Sequence, residues 1–264
     1  MAFAERALPR FDGGRVVTRT FSVIGNNIAK FGLLSLLIGL PSAIEIWRSA
    51  RIPPVLTRGF FIGSADAVLF ITQILAFVGY FVLQAAIVHS TIMHLNARSV
   101  NVAQSLSVGF RFSGQLILIL LLMTLGLLLG FVLLLIPGFI LLVIWSVVVP
   151  CCIAERTGVI GAFKRSRELT RGHRWAIFGV LLAFVILNAA IWVTVGSVTG
   201  MTIAAAIPMG TGGTLNPTPL QIAIYVIFSM IISVINATLV ASIYYELRVL
   251  KDGIGPEALA AVFD

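Results

Sequence analysis

Six apolar stretches of helix length dominate the pattern of hydrophobic and polar positions. They cover residues 31–47, 67–95, 115–136, 138–154, 175–198 and 219–247. A helix needs about 20 apolar residues to cross a hydrocarbon layer of about 30 Å. The strands of an outer-membrane barrel would instead be alternating segments of about ten residues. The pattern therefore predicts an all-α integral membrane protein with six transmembrane helices.

The third and fourth stretches are separated only by Ile136, Pro137 and Gly138. Proline removes a backbone donor and glycine permits a tight reversal. A single kinked helix is the alternative, but it would be about 60 Å long at 1.5 Å per residue, twice the bilayer core. The spacing therefore favours a hairpin, with Pro137 and Gly138 at its turn.

Short amphipathic segments precede three of the stretches. Ser22, Ser107 and Ser166 are each followed nine residues later by a bulky residue that opens an apolar stretch. Such segments are typical of helices that lie in the membrane interface. We interpret the chain as three hairpins, each led by an interfacial helix, although basic amphipathic segments before spans can also resemble one another by coincidence. The predicted organisation is a cytoplasmic segment with an interfacial helix over 1–30, a six-helix domain over 31–248 and a cytoplasmic tail over 249–264.

Composition and charge agree with a membrane protein and add its orientation. Hydrophobic residues make up 59% of the chain and charged residues only 11%, against roughly a quarter charged in soluble domains. The net charge of +8 would suggest a nucleic-acid partner in a soluble protein. Here 15 of the 18 Lys and Arg residues fall on one side of the six-span arrangement. Because cytoplasmic loops are enriched in Lys and Arg, both termini are predicted to be cytoplasmic, and no nucleic-acid partner is expected.

The most basic segment, residues 155–175, lies between the fourth and fifth stretches. Apolar and small residues form one helical stripe, and cations occupy the remaining surface, which predicts a helix in the headgroup plane. One interpretation is that the cations only enforce topology and anchor the bundle. The other is recognition of anionic lipid headgroups, of another membrane protein or of a second copy of the chain. The candidate binding residues are Lys164, Arg165, Arg167, Arg171 and Arg174.

Two carboxylates fall at the cytoplasmic ends of predicted spans. Glu155 and Glu246 are both close in depth to Arg165 and Arg248. Structural ion pairs at the cytoplasmic rim are the preferred interpretation, and proton transfer is the alternative.

Small and amide side chains mark predicted helix contacts. Gly126 and Gly130 are four residues apart, a spacing that allows close helix approach in membranes. Asn188 and Asn236 lie near the middle of their spans, where water cannot satisfy them. Interhelical hydrogen bonds are therefore expected at both asparagines.

Candidate catalytic and metal-binding groups are few. His89 is the one ionisable side chain well inside a predicted span, and His94 is five residues further on. That spacing places the two rings on different faces, unlike ligands at i and i+4. The adjacent Cys151 and Cys152 cannot readily reach disulfide geometry. We predict no catalytic constellation, metal or cofactor, and leave the role of His89 open.

The basic segment and the end of the chain resemble a known family. The residues are Ala162, Arg165-Ser166, Leu169-Thr170-Arg171-Gly172 and Trp175, preceded by Glu155 and Pro137-Gly138, with Tyr244-Tyr245-Glu246-Leu247-Arg248 and Lys251-Asp252-Gly253 near the end. This pattern is similar to the glycerophosphoryl diester phosphodiesterase membrane-domain family, from about residue 15 to residue 255. The resemblance implies a six-helix module of the bacterial cytoplasmic membrane.

Some members of that family also carry a soluble phosphodiesterase barrel. Such a barrel needs roughly 250 residues, and this chain has no comparable soluble region. We therefore expect a non-catalytic scaffold or lipid-interacting module. A transporter or flippase-like protein for a lipidic or small apolar substrate is the alternative, and a membrane-embedded lipid enzyme is a third candidate.

Overall fold

The computed structural model describes residues 11–49, 64–98, 101–133, 135–199 and 218–253. The described chain is all-α, as predicted. Predictions for Arg51, Arg58, the outer loop 200–217 and the tail beyond residue 253 lie outside these residues. The helices are α1 (Gly13–Asn26), α2 (Ile28–Ser49), α3 (Ser64–Leu95), α4 (Val102–Leu133), α5 (Leu135–Ile144), α6 (Val148–Glu155), α7 (Gly158–Thr170), α8 (Arg174–Thr199) and α9 (Pro219–Asp252).

Five membrane-spanning segments are long and apolar enough to cross a bilayer among the described residues. They are Phe77–Leu95, Val102–Val132, Ile136–Glu155, Arg174–Ser197 and Pro219–Asp252. A sixth is obtained when α1 and the start of α2 are taken as one span, bent by 82°. Large apolar side chains such as Leu121 and Val132 are exposed along α4, as expected for a surface solvated by lipid. The protein is thus an all-α membrane protein, with five or six candidate spans among the residues that the structure describes.

Helix α1 has one buried and one exposed face. Asp12 caps the helix by accepting a hydrogen bond from the Arg15 backbone N–H at 3.2 Å, which satisfies a donor of the first turn. Val16, Thr20 and Val23 are buried against the protein. Val17 and Ile24 are partly buried against the same core, and Phe21 is exposed. The apolar side of α1 therefore packs on the bundle, and its exposed side is mostly polar.

The second amphipathic segment, around Ser107, does not form a separate interfacial helix. It is the first part of α4, which runs without interruption from Val102 to Leu133. No proline interrupts this stretch, so the backbone hydrogen bonds continue into the span. Gly109 instead allows α4 to approach α3, because an added Cβ would lie 2.2 Å from the Val82 carbonyl oxygen. The repeat of interfacial helix and hairpin is therefore incomplete here.

The reversal between α4 and α5 occurs earlier than predicted. Helix α4 ends at Leu133 and α5 begins at Leu135, whereas the sequence pattern placed the turn at 136–138. Pro137 lies in the first turn of α5, where the missing N–H has no intrahelical role. Gly130 faces this turn, and an added Cβ would be 3.2 Å from the Gly138 Cα. The two glycines let the hairpin close tightly.

The predicted fourth span is divided into α5 and α6 by a turn at Trp145–Val147. Pro150 explains the break, because it cannot donate to the carbonyl four residues earlier and its ring would clash there. The Ser166 hydroxyl donates to the Ile144 carbonyl oxygen at 2.6 Å. Trp145 also covers Gly126, whose added Cβ would be 2.4 Å from the indole ring. A hydroxyl from another helix thus satisfies a carbonyl released by the break.

Helix α9 lies at the centre of the bundle. Its segment from Ala241 to Leu247 is almost entirely buried, and it continues to Asp252, four residues beyond the predicted domain boundary. Asn188 donates to the Asn236 side-chain oxygen at 3.2 Å, joining α8 to α9. The predicted interhelical hydrogen bond of these asparagines is confirmed.

Candidate functional site

Helix α7 carries the most basic segment of the chain and packs against several neighbouring helices. Ala162, Ser166 and Leu169 recur at helical spacing and are fully buried. Helix α7 contacts α4, α5, α6 and α9. The stripe that the sequence suggested for the membrane interface therefore faces protein. Its burial turns the opposite, cationic face of α7 outward.

Glu155, at the end of α6, is the centre of one polar network. Arg165 donates through Nε to both carboxylate oxygens of Glu155, at 3.1 and 2.8 Å. The Tyr244 hydroxyl donates to Glu155 Oε1 at 2.9 Å. Arg165 also pairs with Asp252, whose carboxylate lies 3.8 Å from Arg248 Nε. The network joins α6, α7 and the end of α9.

The charge of Arg165 is held by this network. Burial alone would lower the pKa of Arg165, but its hydrogen bond to Glu155 and the negative charges of Glu155 and Asp252 raise that pKa above its ordinary value. Charged hydrogen bonds of this kind are stronger than neutral ones. Arg165 is therefore a structural ion-pair residue, and its guanidinium is not free for a lipid headgroup.

The other candidate lipid-binding residues differ in exposure. Lys164, Arg167 and Arg171 are exposed, and in the part of the chain that the structure describes none has a carboxylate within 4.0 Å. Arg174, at the start of α8, is partly buried, and its Nε has no hydrogen-bond partner among the described residues. Three free cations thus remain on the outer surface of α7 and at its C-cap.

Glu246 is the centre of a second network, with partners that the sequence analysis did not identify. Its side chain is only 1% exposed. Arg19 Nη1 lies 2.8 Å from Glu246 Oε2, and Arg15 Nη1 lies 3.4 Å from Oε1. The Arg19 guanidinium also stacks 4.9 Å from the ring centre of Tyr245. This network attaches α1 to the central helix.

Glu246 and Arg248, both candidates for structural ion pairs, do not pair with each other. Residues two apart on a helix point to different faces, so Arg248 turns towards Asp252 while Glu246 turns towards α1. Arg15 and Arg19 are one helical turn apart and share a face, the one local signal that could have suggested a common partner. Because Arg19 is 227 residues from Glu246 in the sequence, local pattern could not identify the partner itself.

The described residues hold few groups suited to catalysis. Within them no three His, Cys, Asp or Glu side chains converge as metal ligands would. His94 Nδ1 lies 3.1 Å from the Asn27 side-chain nitrogen. Cys151 and Cys152 are buried free thiols, and Cys152 donates to Gln115 at 3.2 Å. The contacts of His94 and Cys152 join neighbouring helices.

Comparison with known proteins found one match, to a family model. No curated protein and no solved structure matches the chain significantly. The resemblance to the glycerophosphoryl diester phosphodiesterase membrane domain was not tested by these comparisons and stays a prediction. One family model matches residues 55–247, which include α3 to α8 and most of α9. Because this match covers more than half of the chain, the protein belongs to the family described as Domain of unknown function (DUF7847).

Proposed function

We propose that the chain is a non-catalytic, lipid-interacting module of the bacterial cytoplasmic membrane, with both termini in the cytoplasm. Its basic surface, defined as Lys164, Arg167 and Arg171, would attract anionic lipid headgroups. The orientation is supported by the 15 Lys and Arg residues on the side of the termini. The bacterial location is supported by the family resemblance described above.

The exposed cations of the basic surface are the observation that carries this proposal. On the same helix, Arg165 is neutralised by Glu155 and Asp252. The three residues of the basic surface have no such partner within the described chain and face away from the buried stripe. A cation near an anionic membrane surface contributes about 1 kcal/mol of attraction. This surface is therefore suited to a layer of negative headgroups.

A transporter for a lipidic substrate is the second candidate, supported by the interruption at Trp145–Val147. Broken helices often line substrate sites in transporters. Here, however, Ser166 satisfies the Ile144 carbonyl and the Phe163 ring packs 5.2 Å from that of Trp145. Side chains thus occupy the interruption, and we rank the lipid-interacting module first.

Extraction into native-lipid nanodiscs tests the proposal. The variant Lys164→Gln/Arg167→Gln/Arg171→Gln should retain several-fold less anionic lipid, relative to zwitterionic lipid, than the unmodified protein. The matched control Arg167→Lys/Arg171→Lys keeps the charge and should retain the original ratio. Mass spectrometry of the co-purified lipids measures both. An unchanged lipid ratio in the glutamine variant would exclude the basic surface as a lipid-binding site.

A further inference from the structure

A second basic feature lies away from α7. A cavity of about 440 Å³ opens between α3, α4, α6 and α9. Four arginines line it, each from a different part of the chain, and we call it the four-arginine cavity. Arg98 follows α3, Arg111 belongs to α4, Arg156 caps α6 and Arg248 belongs to α9. The fold therefore gathers four cations that are widely separated in sequence.

The charge of this cavity is largely uncompensated. No Asp or Glu is among its described lining residues. Arg248 approaches one carboxylate, at 3.8 Å from Asp252, and its buried Nε makes no hydrogen bond to a described residue. Arg98, Arg111 and Arg156 have no carboxylate within 4.0 Å in the described ranges. Like charges gathered in a cleft repel one another and raise the local concentration of anions.

Two residues beside the four-arginine cavity have left-handed backbone conformations. Ala97, which precedes Arg98, has φ 55°, and Arg156 has φ 51°. Left-handed backbone is unfavourable for a non-glycine residue, so the rest of the structure must hold both residues in place. They are the two non-glycine residues with positive φ in the described chain. Both place an arginine at the mouth of the cavity.

The inner wall of the cavity is partly apolar. Ile92, Phe112 and Ile153 line it and are themselves buried. His89 also lines it and has a buried Nδ1 without a hydrogen-bond partner in the described chain. It lies six residues before the end of α3, which corresponds to about 9 Å along a helix axis. The cavity therefore combines a cationic mouth with an interior that can contact an apolar group and accept or donate a hydrogen bond.

This arrangement selects a class of ligand. A planar guanidinium forms paired hydrogen bonds with phosphate oxygens, and several guanidiniums can surround one phosphate. The volume falls in the range of about 300–1,000 Å³ that is usual for small-molecule sites, so it leaves room for an organic group attached to the phosphate. We propose that the four-arginine cavity binds a phosphate ester, from either a lipid headgroup or a soluble metabolite.

The four-arginine cavity is separate from the basic surface of α7, since Lys164, Arg167 and Arg171 do not line it. The two sites can therefore be tested separately. Arg98→Gln/Arg111→Gln removes two positive charges from the cavity. Lys30→Gln/Lys251→Gln removes the same charge from residues that line neither the cavity nor the basic surface, and serves as the matched control.

Isothermal titration of the full chain in a neutral detergent tests the cavity with three probes. They are dihexanoyl phosphatidic acid, inorganic phosphate and dihexanoylglycerol, which lacks phosphate. Saturable binding of one phosphatidic acid per chain is expected. It should weaken about tenfold, equivalent to about 1.4 kcal/mol, in Arg98→Gln/Arg111→Gln and remain unchanged in Lys30→Gln/Lys251→Gln.

The probes also identify the source of the phosphate. Much weaker binding of inorganic phosphate than of phosphatidic acid would assign the site to a lipid headgroup, and equal binding would assign it to soluble phosphate. Equal losses in the two variants, equal binding of dihexanoylglycerol, or no saturable binding would overturn the proposal. If the double variant does not fold, Arg111→Gln alone, at an exposed residue, provides the same comparison.

Discussion

The contact of Arg19 with Glu246 predicts a large energetic coupling between α1 and α9. Glu246 is 1% exposed and Arg19 is 22% exposed, with 2.8 Å between their charged atoms. Removing one partner from a buried ion pair typically costs about 3–5 kcal/mol, because the other charge is left uncompensated. Arg15, at 3.4 Å from Glu246, still offers partial compensation. We therefore expect Arg19→Gln to lower the free energy of unfolding by about 3 kcal/mol, the lower end of that range.

A double-mutant cycle separates this ion pair from the other contacts of Arg19. Stacking of the guanidinium on Tyr245 contributes about 1 kcal/mol, and Glu246→Gln leaves that stacking in place. We expect Glu246→Gln to cost about 2 kcal/mol and the double variant about 3 kcal/mol, which gives a coupling of about 2 kcal/mol. The double variant should lose little more than Arg19→Gln, because the charge on Glu246 is no longer buried without its partner.

The free energies can be measured by equilibrium denaturation in mixed lipid and detergent micelles. Lys251→Gln is the control, because it removes an exposed cation of α9 that forms none of the ion pairs in the described chain. That variant should stay within about 0.5 kcal/mol of the unmodified protein. A coupling below about 0.5 kcal/mol, the value of an exposed ion pair, would refute the view that Glu246 attaches α1 through a buried charge.

Two further contacts predict measurable losses of stability. Gly109→Ala should destabilise the protein by about 3 kcal/mol, since its Cβ would meet the Val82 carbonyl oxygen; Gly114→Ala on the same helix, with open space around it, should be neutral or slightly stabilising. Equal effects of the two alanines in thermal unfolding would contradict the assigned close approach of α3 and α4. Ser166→Ala should cost about 1–3 kcal/mol, because it leaves a buried carbonyl unpaired at the helix break. Ser107→Ala, at an exposed hydroxyl, is its control, and matching melting temperatures for these serine variants would show that the break does not need the hydroxyl.

The sequence was most informative about the membrane spans, where a local pattern of apolar residues meets the requirements of a lipid solvent. In lipid a backbone must satisfy its hydrogen bonds within each helix, so long apolar stretches such as those of α4 and α8 predict spans directly. The same argument identified Asn188 and Asn236, because an amide in hydrocarbon requires a nearby partner. Their mutual hydrogen bond at 3.2 Å follows this expectation.

Local pattern was less informative about where helices stop. Pro137 suggested a turn but lies inside the first turn of α5, and Pro150 lies inside α6 while the break precedes it. A proline is tolerated at the start of a helix and disrupts the turn before it. A proline in the sequence therefore indicates that a helix ends or breaks nearby, but it does not indicate on which side of the proline this occurs.

The sequence by itself determined that this protein is built from membrane-spanning helices, because that property depends on composition over lengths of about 20 residues. It also predicts that the cations gather on one side of the membrane. The tertiary structure alone decided which charges are paired. Arg165 meets Glu155 and Asp252, Glu246 meets Arg15 and Arg19, and the arginines of the four-arginine cavity meet no carboxylate apart from the approach of Arg248 to Asp252 in the described chain. The physical reason is that an ion pair requires its charged atoms to lie within a few ångströms of each other, and only the packing of the helices brings residues distant in sequence within that range.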